Sequence, residues 1–456
     1  MSAVVEGPAR DPSYVLPLVA YAEPGHVFAW HDGRAVGLAE FLGDVASVAA
    51  ALPPGRDAIN LCEDRYAFLV AFCAVACRGQ TNLLPSSRVA QAVDETLAAY
   101  PGSYALSDCS RVQPGHRYVR MPTLDNGERS SEIPSVAADQ IVVIGFTSGS
   151  TGQPKPNPKT WAALHASNAA NAAALTQVLE LAPGSFGHIV ATVPPQHMYG
   201  IELSILLPML GPFALHSGRP LFPADVAAAL AQVPEPRVLV TTPVHLRALL
   251  RDPAPLPRLA AITSATAPLS QELAAEAEAR YGAPVLELFG STETCVIAQR
   301  RTASEPDWRL RDAIELRPQP DGTLVDAAYF EAPVMLPDLI ELLPRRRFRL
   351  CGRHADLVEI AGKRASLADL TRRVLSLSGV QDAVVFQLDE RDCAGVCRIA
   401  ALVVAPERSE ALLLKDLRNA IDPAFLPRPL RKVDALPRNE TGKLPRTALL
   451  AALRNV

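Results

Sequence analysis

Lysine is nearly missing from this chain. Of its 44 basic residues only six are lysine and the rest arginine. In so arginine-biased a sequence, a lysine marks a place where a compact, point-like charge is wanted rather than a planar fork. Excess positive charge is missing too: the net charge of −4 gives no electrostatic case for nucleic acid or an anionic membrane as partner. There is no long uninterrupted apolar run. The best candidate, 201–215, carries Glu202, Pro208 and Pro212, so no membrane span is expected. The opening residues, Met1 to Pro8, lack the basic-then-apolar order of a signal peptide, and a cytoplasmic location is expected. The eight cysteines include two pairs spaced four apart, Cys73/Cys77 and Cys393/Cys397, but no nearby histidines complete a zinc ligand set. They read as free thiols of a reducing compartment.

What is present is a globular composition, 49% hydrophobic and 20% charged, over a length that favours two domains. The stretch to which the rest relates is Ile141-Val-Val-Ile-Gly-Phe146 followed by Thr147-Ser-Gly-Ser-Thr-Gly-Gln-Pro-Lys155. The first part reads as a buried strand. The second is a loop of glycines and hydroxyls closed by a lysine. Glycine lets backbone N–H groups turn toward a ligand, hydroxyls add donors and the ammonium adds charge, which is the chemistry of a phosphate cradle. The spacing is not that of a Walker P-loop.

Four ordered motifs carry a resemblance. They are Thr147–Lys155, Phe289-Gly-Ser-Thr-Glu293, Cys351-Gly-Arg353 leading to Gly362-Lys-Arg364, and Leu436-Pro-Arg-Asn-Glu-Thr-Gly-Lys443. Together they resemble the adenylate-forming superfamily: acyl-CoA synthetases, aryl-CoA and acyl-carrier-protein ligases, and adenylation domains. A short N-terminal region and an altered hinge resemble, more narrowly, the stand-alone ligases of aryl-polyene pigment synthesis. The fold class implied is α/β. A large N-terminal domain (1–352) has parallel and mixed sheets flanked by helices plus an antiparallel portion. A hinge at 353–356 leads to a small mobile α+β domain (357–456).

Periodicity supports that plan. Strands are expected at 57–61, 141–146, 188–193, 213–216, 237–241, 259–263 and 284–289. Helices are expected at 37–51, 160–181, 201–210, 224–232, 244–250 and 270–281. Such alternation argues for parallel sheet covered by helices, with ligands beyond the carboxyl ends of strands. Residues 311–350 read as antiparallel, turning at Pro320-Asp-Gly322. Later, Ser366 opens a helix in capping-box fashion, strands follow at 380–388 and 396–404, and helices at about 409–421 and from about 445. Glu63, Asp64 and Arg65 are expected to cap a helix or face solvent.

The resemblance also implies roles. Thr147, Ser148, Gly149, Ser150, Thr151, Gly152 and Lys155 would hold the β- and γ-phosphates of ATP. Thr292 would touch the α-phosphate, and Glu293 would bind Mg²⁺, which favours carboxylate and phosphate oxygens. Ala265, Phe289, Gly290 and Ser291 would border the nucleotide, and Asp338 and Arg353 the ribose hydroxyls. Lys443 would bridge the substrate carboxylate and the α-phosphate. His197, Tyr199 and Gly200 resemble the His-x-Tyr-Gly turn of aryl-CoA ligases, where the histidine orients the carboxylate or plugs the acyl tunnel and the tyrosine lines the acyl pocket. Thr266, Leu288 and Gly290 complete that pocket. Related sequences commonly carry glycine where this chain has Ala265 and Thr266, and a small residue at Leu288, so a narrow pocket for a small flat acid is implied.

Other departures are Leu336-Pro337 where Thr-Gly usually precedes Asp338, Ala355 at the hinge, and Glu359 where a basic residue is common. The function implied is ATP-dependent activation of a small aromatic acid, hydroxybenzoate- or cinnamate-like, and its transfer to the thiol of CoA or an acyl carrier protein. A medium-chain fatty acyl ligase, a ligase delivering to an amine, and a non-catalytic nucleotide or acyl binder are the alternatives.

Overall fold

The computed structural model describes residues 14–22, 25–85, 87–109, 117–124, 129–148, 154–353, 357–360, 363–391, 397–439 and 442–454. The chain forms two compact units, Met1–Glu305 and Pro306–Val456.

The first unit is built on two sheets. One runs in the order Pro154–Thr160, Ile141–Ser148, Thr81–Leu84, Asp57–Asn60, Tyr104–Ser107, Tyr118–Arg120, all parallel except the first. The strands that this unit contributes to the other run Cys295–Arg300, Val285–Ser291, Ala261–Ser264, Arg237–Thr241, Gly187–Ala191, Phe213–His216, Val27–His31, Arg34–Gly37, and of these only the first pair and the last pair are antiparallel. Strand–helix alternation was the sequence signal for parallel sheet, and the expected strands from 141 to 289 all appear within two or three residues.

Helix Arg65–Cys77 lies in the principal core. Its residues 65–76 are all buried, which is why its sequence has no polar stripe. Asp64 caps it as expected, its carboxylate accepting from the Ala67 N–H at 2.8 Å. Arg65 does not face solvent. It is 1% exposed, donating to the carbonyls of Ala191 at 3.0 Å and Val193 at 2.7 Å and to Ser204 Oγ at 2.5 Å. Burial, with Arg219 nearby, brings its guanidinium down to about 9.

Two elements differ from expectation. Pro154–Thr160 is a strand, where the sequence reading ran from loop to helix. Three prolines argue against an interior strand, but this one is the sheet edge, where a missing N–H costs no ladder bond. The helix then starts at Trp161, with the Thr160 hydroxyl accepting from Ala163 N–H. Second, the helix expected at 201–210 begins at Met198 and is π-wound over Ile201–Leu206 before an α-turn at Leu207–Leu210. Pro208 has no N–H for the Ser204 carbonyl, and Ser204 Oγ turns back to the Gly200 carbonyl at 2.6 Å.

The second unit opens with antiparallel pairing of Trp308–Leu310 and Asp338–Leu343 on either side of Arg347–Arg353. The Ile314–Gln319, Gly322–Ala327, Val334–Leu336 meander turns at Pro320-Asp321 as expected. Helix Leu367–Leu375, capped by Ser366, and helix Glu410–Ala420 pack through Leu370, Val374, Leu413 and Leu417 against strands Asp382–Arg391 and Cys397–Val404. The hinge residues 354–356 lie outside the described residues. A functional division at 353–356 therefore stays a proposal beside the compact boundary at 305.

Candidate active site

Strands Ile141–Ser148 and Pro154–Thr160 form a hairpin in which Lys155 stands opposite Thr147 and Pro154 opposite Ser148. The expected phosphate ligands Gly149, Ser150, Thr151 and Gly152 fall between the two strands, outside the described residues. Lys155 is exposed at the hairpin mouth. Thr147 Oγ1 donates to Glu293 Oε1 at 3.3 Å and accepts from Asn157 Nδ2 at 3.2 Å.

Glu293 sits in the turn between strands Val285–Ser291 and Cys295–Arg300. Ser291 and Thr294 lock the turn: Ser291 N–H donates to Thr294 Oγ1 and Thr294 N–H to Ser291 Oγ, both at 3.2 Å. Gly290 is required by crowding, since a Cβ there would stand 2.1 Å from the Cys295 carbonyl oxygen. The methyl of Thr292 closes against Gly145, and Thr292, Gly145, Phe146, Leu84, Gln196, His197 and Met198 line one crevice. It lies beyond the carboxyl ends of strands from both sheets, as the fold rule anticipates. The structure thus brings Thr147, Thr292, Glu293 and His197 together.

His197 is half-buried and starts the helical run 198–210. Gly200 is forced by the turn before it: a Cβ would lie 2.0 Å from the Pro194 carbonyl oxygen. Tyr199 is buried, and its hydroxyl meets Thr263 Oγ1 at 2.9 Å. Burial pushes its phenol well above the usual range. Tyr199 packs in one apolar cluster with Ala265, Leu288, Leu203, Val193 and Val240. Thr266, next to that cluster, is exposed with φ of 77°, a left-handed conformation that a β-branched residue adopts only under strain. A glycine would be free of strain there.

In the second unit, Asp338 and Arg353 are cross-strand neighbours in register. The Asp338 carbonyl accepts from Thr323 Oγ1 at 2.7 Å. Lys443 is exposed on a loop closed by Asn439, whose side chain accepts the Lys443 N–H at 2.9 Å and whose own N–H reaches the Lys443 carbonyl at 2.9 Å.

Three residues of this region escaped sequence reasoning. Asn157 and Lys159 lie on the unforeseen edge strand, and the Lys159 ammonium donates to the Glu293 main-chain carbonyl. Their alternation with prolines, Pro-Lys-Pro-Asn-Pro-Lys, is a period of two that was available as a strand signal. Glu202, 1% exposed, accepts from Ser167 Oγ at 2.9 Å, Asn171 Nδ2 at 3.1 Å and the Val296 N–H at 3.1 Å. Burial pushes its carboxyl up, against those donors and the Lys159 ammonium, which hold it down. No sequence spacing announces that network.

Among the described residues no group of three or more His, Cys, Asp or Glu is placed to hold a metal. A single carboxylate such as Glu293 still suits Mg²⁺, which retains waters and takes phosphate oxygens as further ligands. Among those residues, too, no helix is long and apolar enough to cross a membrane.

A family model described as AMP-binding enzyme matches residues 56–323. A 4-coumarate–CoA ligase of Halorhodospira halophila is 32% identical over 320 residues, 65% of this chain and 73% of that protein. The chain belongs to the AMP-binding enzyme family, and its enzyme class is that of the AMP-forming acid–thiol ligases. Solved structures share the fold. ATP-bound MatB from Rhodopseudomonas palustris aligns with a TM-score of 0.79 at 19% identity, covering 95% of this chain and 97% of that one. The anthranilate CoA ligase AuaEII in complex with anthranoyl-AMP aligns with a TM-score of 0.78 at 16% identity, covering 96% and 98%.

Proposed function

We propose that this enzyme activates a small aromatic carboxylic acid with ATP and passes the acyl group to the thiol of CoA or an acyl carrier protein. A carboxylate oxygen attacks the α-phosphorus, the bond to pyrophosphate breaks, and the thiol later displaces AMP from the acyl-adenylate. The observation that carries the acid's size is the packed cluster of Tyr199, Ala265 and Leu288 beside the His197 turn. Side chains that fill a pocket wall leave room for a flat ring and little for a long chain. The similarity to a 4-coumarate–CoA ligase supports the same reading.

Within it, Thr147, Ser148 and Lys155, with residues 149–152, hold the β- and γ-phosphates, and Thr292 holds the α-phosphate. Phe289, Gly290, Ser291 and Ala265 border the nucleotide, and Asp338 and Arg353 take the ribose hydroxyls. His197 orients the carboxylate, while Tyr199, Gly200, Thr266 and Leu288 shape the acyl pocket. Glu293 would hold Mg²⁺, which when bound neutralises phosphate charge. Lys443 is assigned to the adenylation step, where charge moves from carboxylate to α-phosphate. Catalysis by such groups is positioning and charge stabilisation.

Acid-dependent pyrophosphate exchange tests the proposal. Benzoate- or cinnamate-type acids should exceed C12–C16 fatty acids by on the order of tenfold or more, about the worth of one pocket misfit. Leu288→Gly should extend turnover to bulkier acids. Equal or better exchange with long chains overturns the aromatic assignment.

A further inference from the structure

Both lysines of the first unit, Lys155 and Lys159, stand on strand Pro154–Thr160. Pro156 and Pro158 are exposed while Asn157 and Lys159 are buried. Alternate residues of a strand face opposite sides, so Lys155, Asn157 and Lys159 share the inward face. From that face two routes lead to Glu293, one through Thr147 and one direct. Asn157 Nδ2 occupies the Thr147 hydroxyl oxygen at 3.2 Å, so the Thr147 proton is directed onward to Glu293 Oε1 at 3.3 Å. The Lys159 ammonium takes the Glu293 main-chain carbonyl. Glu293 is therefore held at its backbone directly by this strand and at its carboxylate through Thr147 of the neighbouring strand. Three residues on, the Val296 N–H is held by Glu202, whose carboxyl the Lys159 ammonium also holds down.

A lysine only 8% exposed is costly to bury, and a carbonyl of a surface turn would be satisfied by water without it. The expense is understandable if the turn must not move. We propose that Asn157 and Lys159 are positioning residues for Glu293, fixing the direction in which its carboxylate meets a divalent cation. This rests on the reading of Glu293 as the metal ligand. Mg²⁺ demands near-ideal octahedral geometry, so a swinging ligand is a weak one. Partners that orient a ligand from behind are typically worth 10–100-fold in metal affinity.

The test is Mn²⁺ binding to the full chain in the presence of a non-hydrolysable ATP analogue, read from the electron paramagnetic resonance signal of free Mn²⁺. Lys159→Met and Asn157→Ser should each weaken Mn²⁺ by about tenfold or more. Binding of the analogue without metal should be unchanged, and Lys159→Arg should recover much of the loss. Glu293→Gln should weaken Mn²⁺ further still. Unchanged Mn²⁺ affinity in both positioning variants, with Glu293→Gln impaired, overturns the inference and leaves the metal reading standing. Unchanged affinity in Glu293→Gln overturns the metal reading itself. A melting curve accompanies each variant, and if Lys159→Met has no cooperative transition, Asn157→Ser decides alone.

Discussion

Glu293 and Lys443 are both charged residues assigned to the same reaction, and the chain holds them in opposite ways. Glu293 lies in a turn locked by Ser291 and Thr294, with its carboxylate bonded to Thr147 and its carbonyl to Lys159. Lys443 is exposed, tied to Asn439 only through its backbone, and among the described residues its ammonium has no partner. A ligand for a geometrically strict cation gains from rigidity, because each degree of freedom left open dilutes the productive pose. A point charge needed in only one half-reaction gains from being left free.

The contrast is sharpened first at its rigid end. Glu293→Gln keeps volume and polarity but removes the charge that Mg²⁺ requires. Pyrophosphate exchange should fall by on the order of 10³-fold or more, with melting nearly unchanged in ligand-free buffer. Full exchange activity in that variant would move the metal site elsewhere.

Lys443→Ala should follow, costing on the order of 10²-fold in exchange, the worth of an ammonium–oxyanion contact in a dry site. The same variant should convert presynthesised acyl-adenylate and thiol at a near-normal rate. Equal loss of both half-reactions would place Lys443 with Glu293 as a fixed requirement, and the contrast would disappear.

The smallest effect is expected at Tyr199. Tyr199→Phe removes its bond to Thr263 and leaves that hydroxyl without this partner, at a cost of about 1–2 kcal/mol. The melting temperature should drop by a few degrees, with the preference for aromatic acids retained. A reversed acid preference would show that the phenol reads the substrate rather than bracing the wall.

Much of this architecture was legible before any coordinates. Continuous apolar strands alternating with helices specified a parallel sheet, because strands covered on both faces have no polar side to display. The hydroxyl- and glycine-rich loop, the Glu293 turn and the Lys443 loop are each spelled in a few contiguous residues, so local motifs were enough to propose them as site candidates. Ser366 and Asp64 declared helix starts for the same local reason. Arg65 was misread because its environment is not local: its partners Ala191, Val193 and Ser204 stand 126 to 139 residues away.

The sequence by itself determined the fold class, the order of the elements and which loops are candidates for the site, since period, capping and turn chemistry act over a few residues. Tertiary structure alone decided that a proline-rich segment is an edge strand and that Thr266 sits strained beside the Tyr199 cluster. It alone decided, too, that Lys159 reaches the carbonyl of Glu293 across 134 residues of chain. A hydrogen bond at that separation leaves no period in the sequence. It exists because the edge strand of one sheet and a strand-connecting turn of the other, each specified locally, are packed close enough for a buried ammonium to reach that carbonyl.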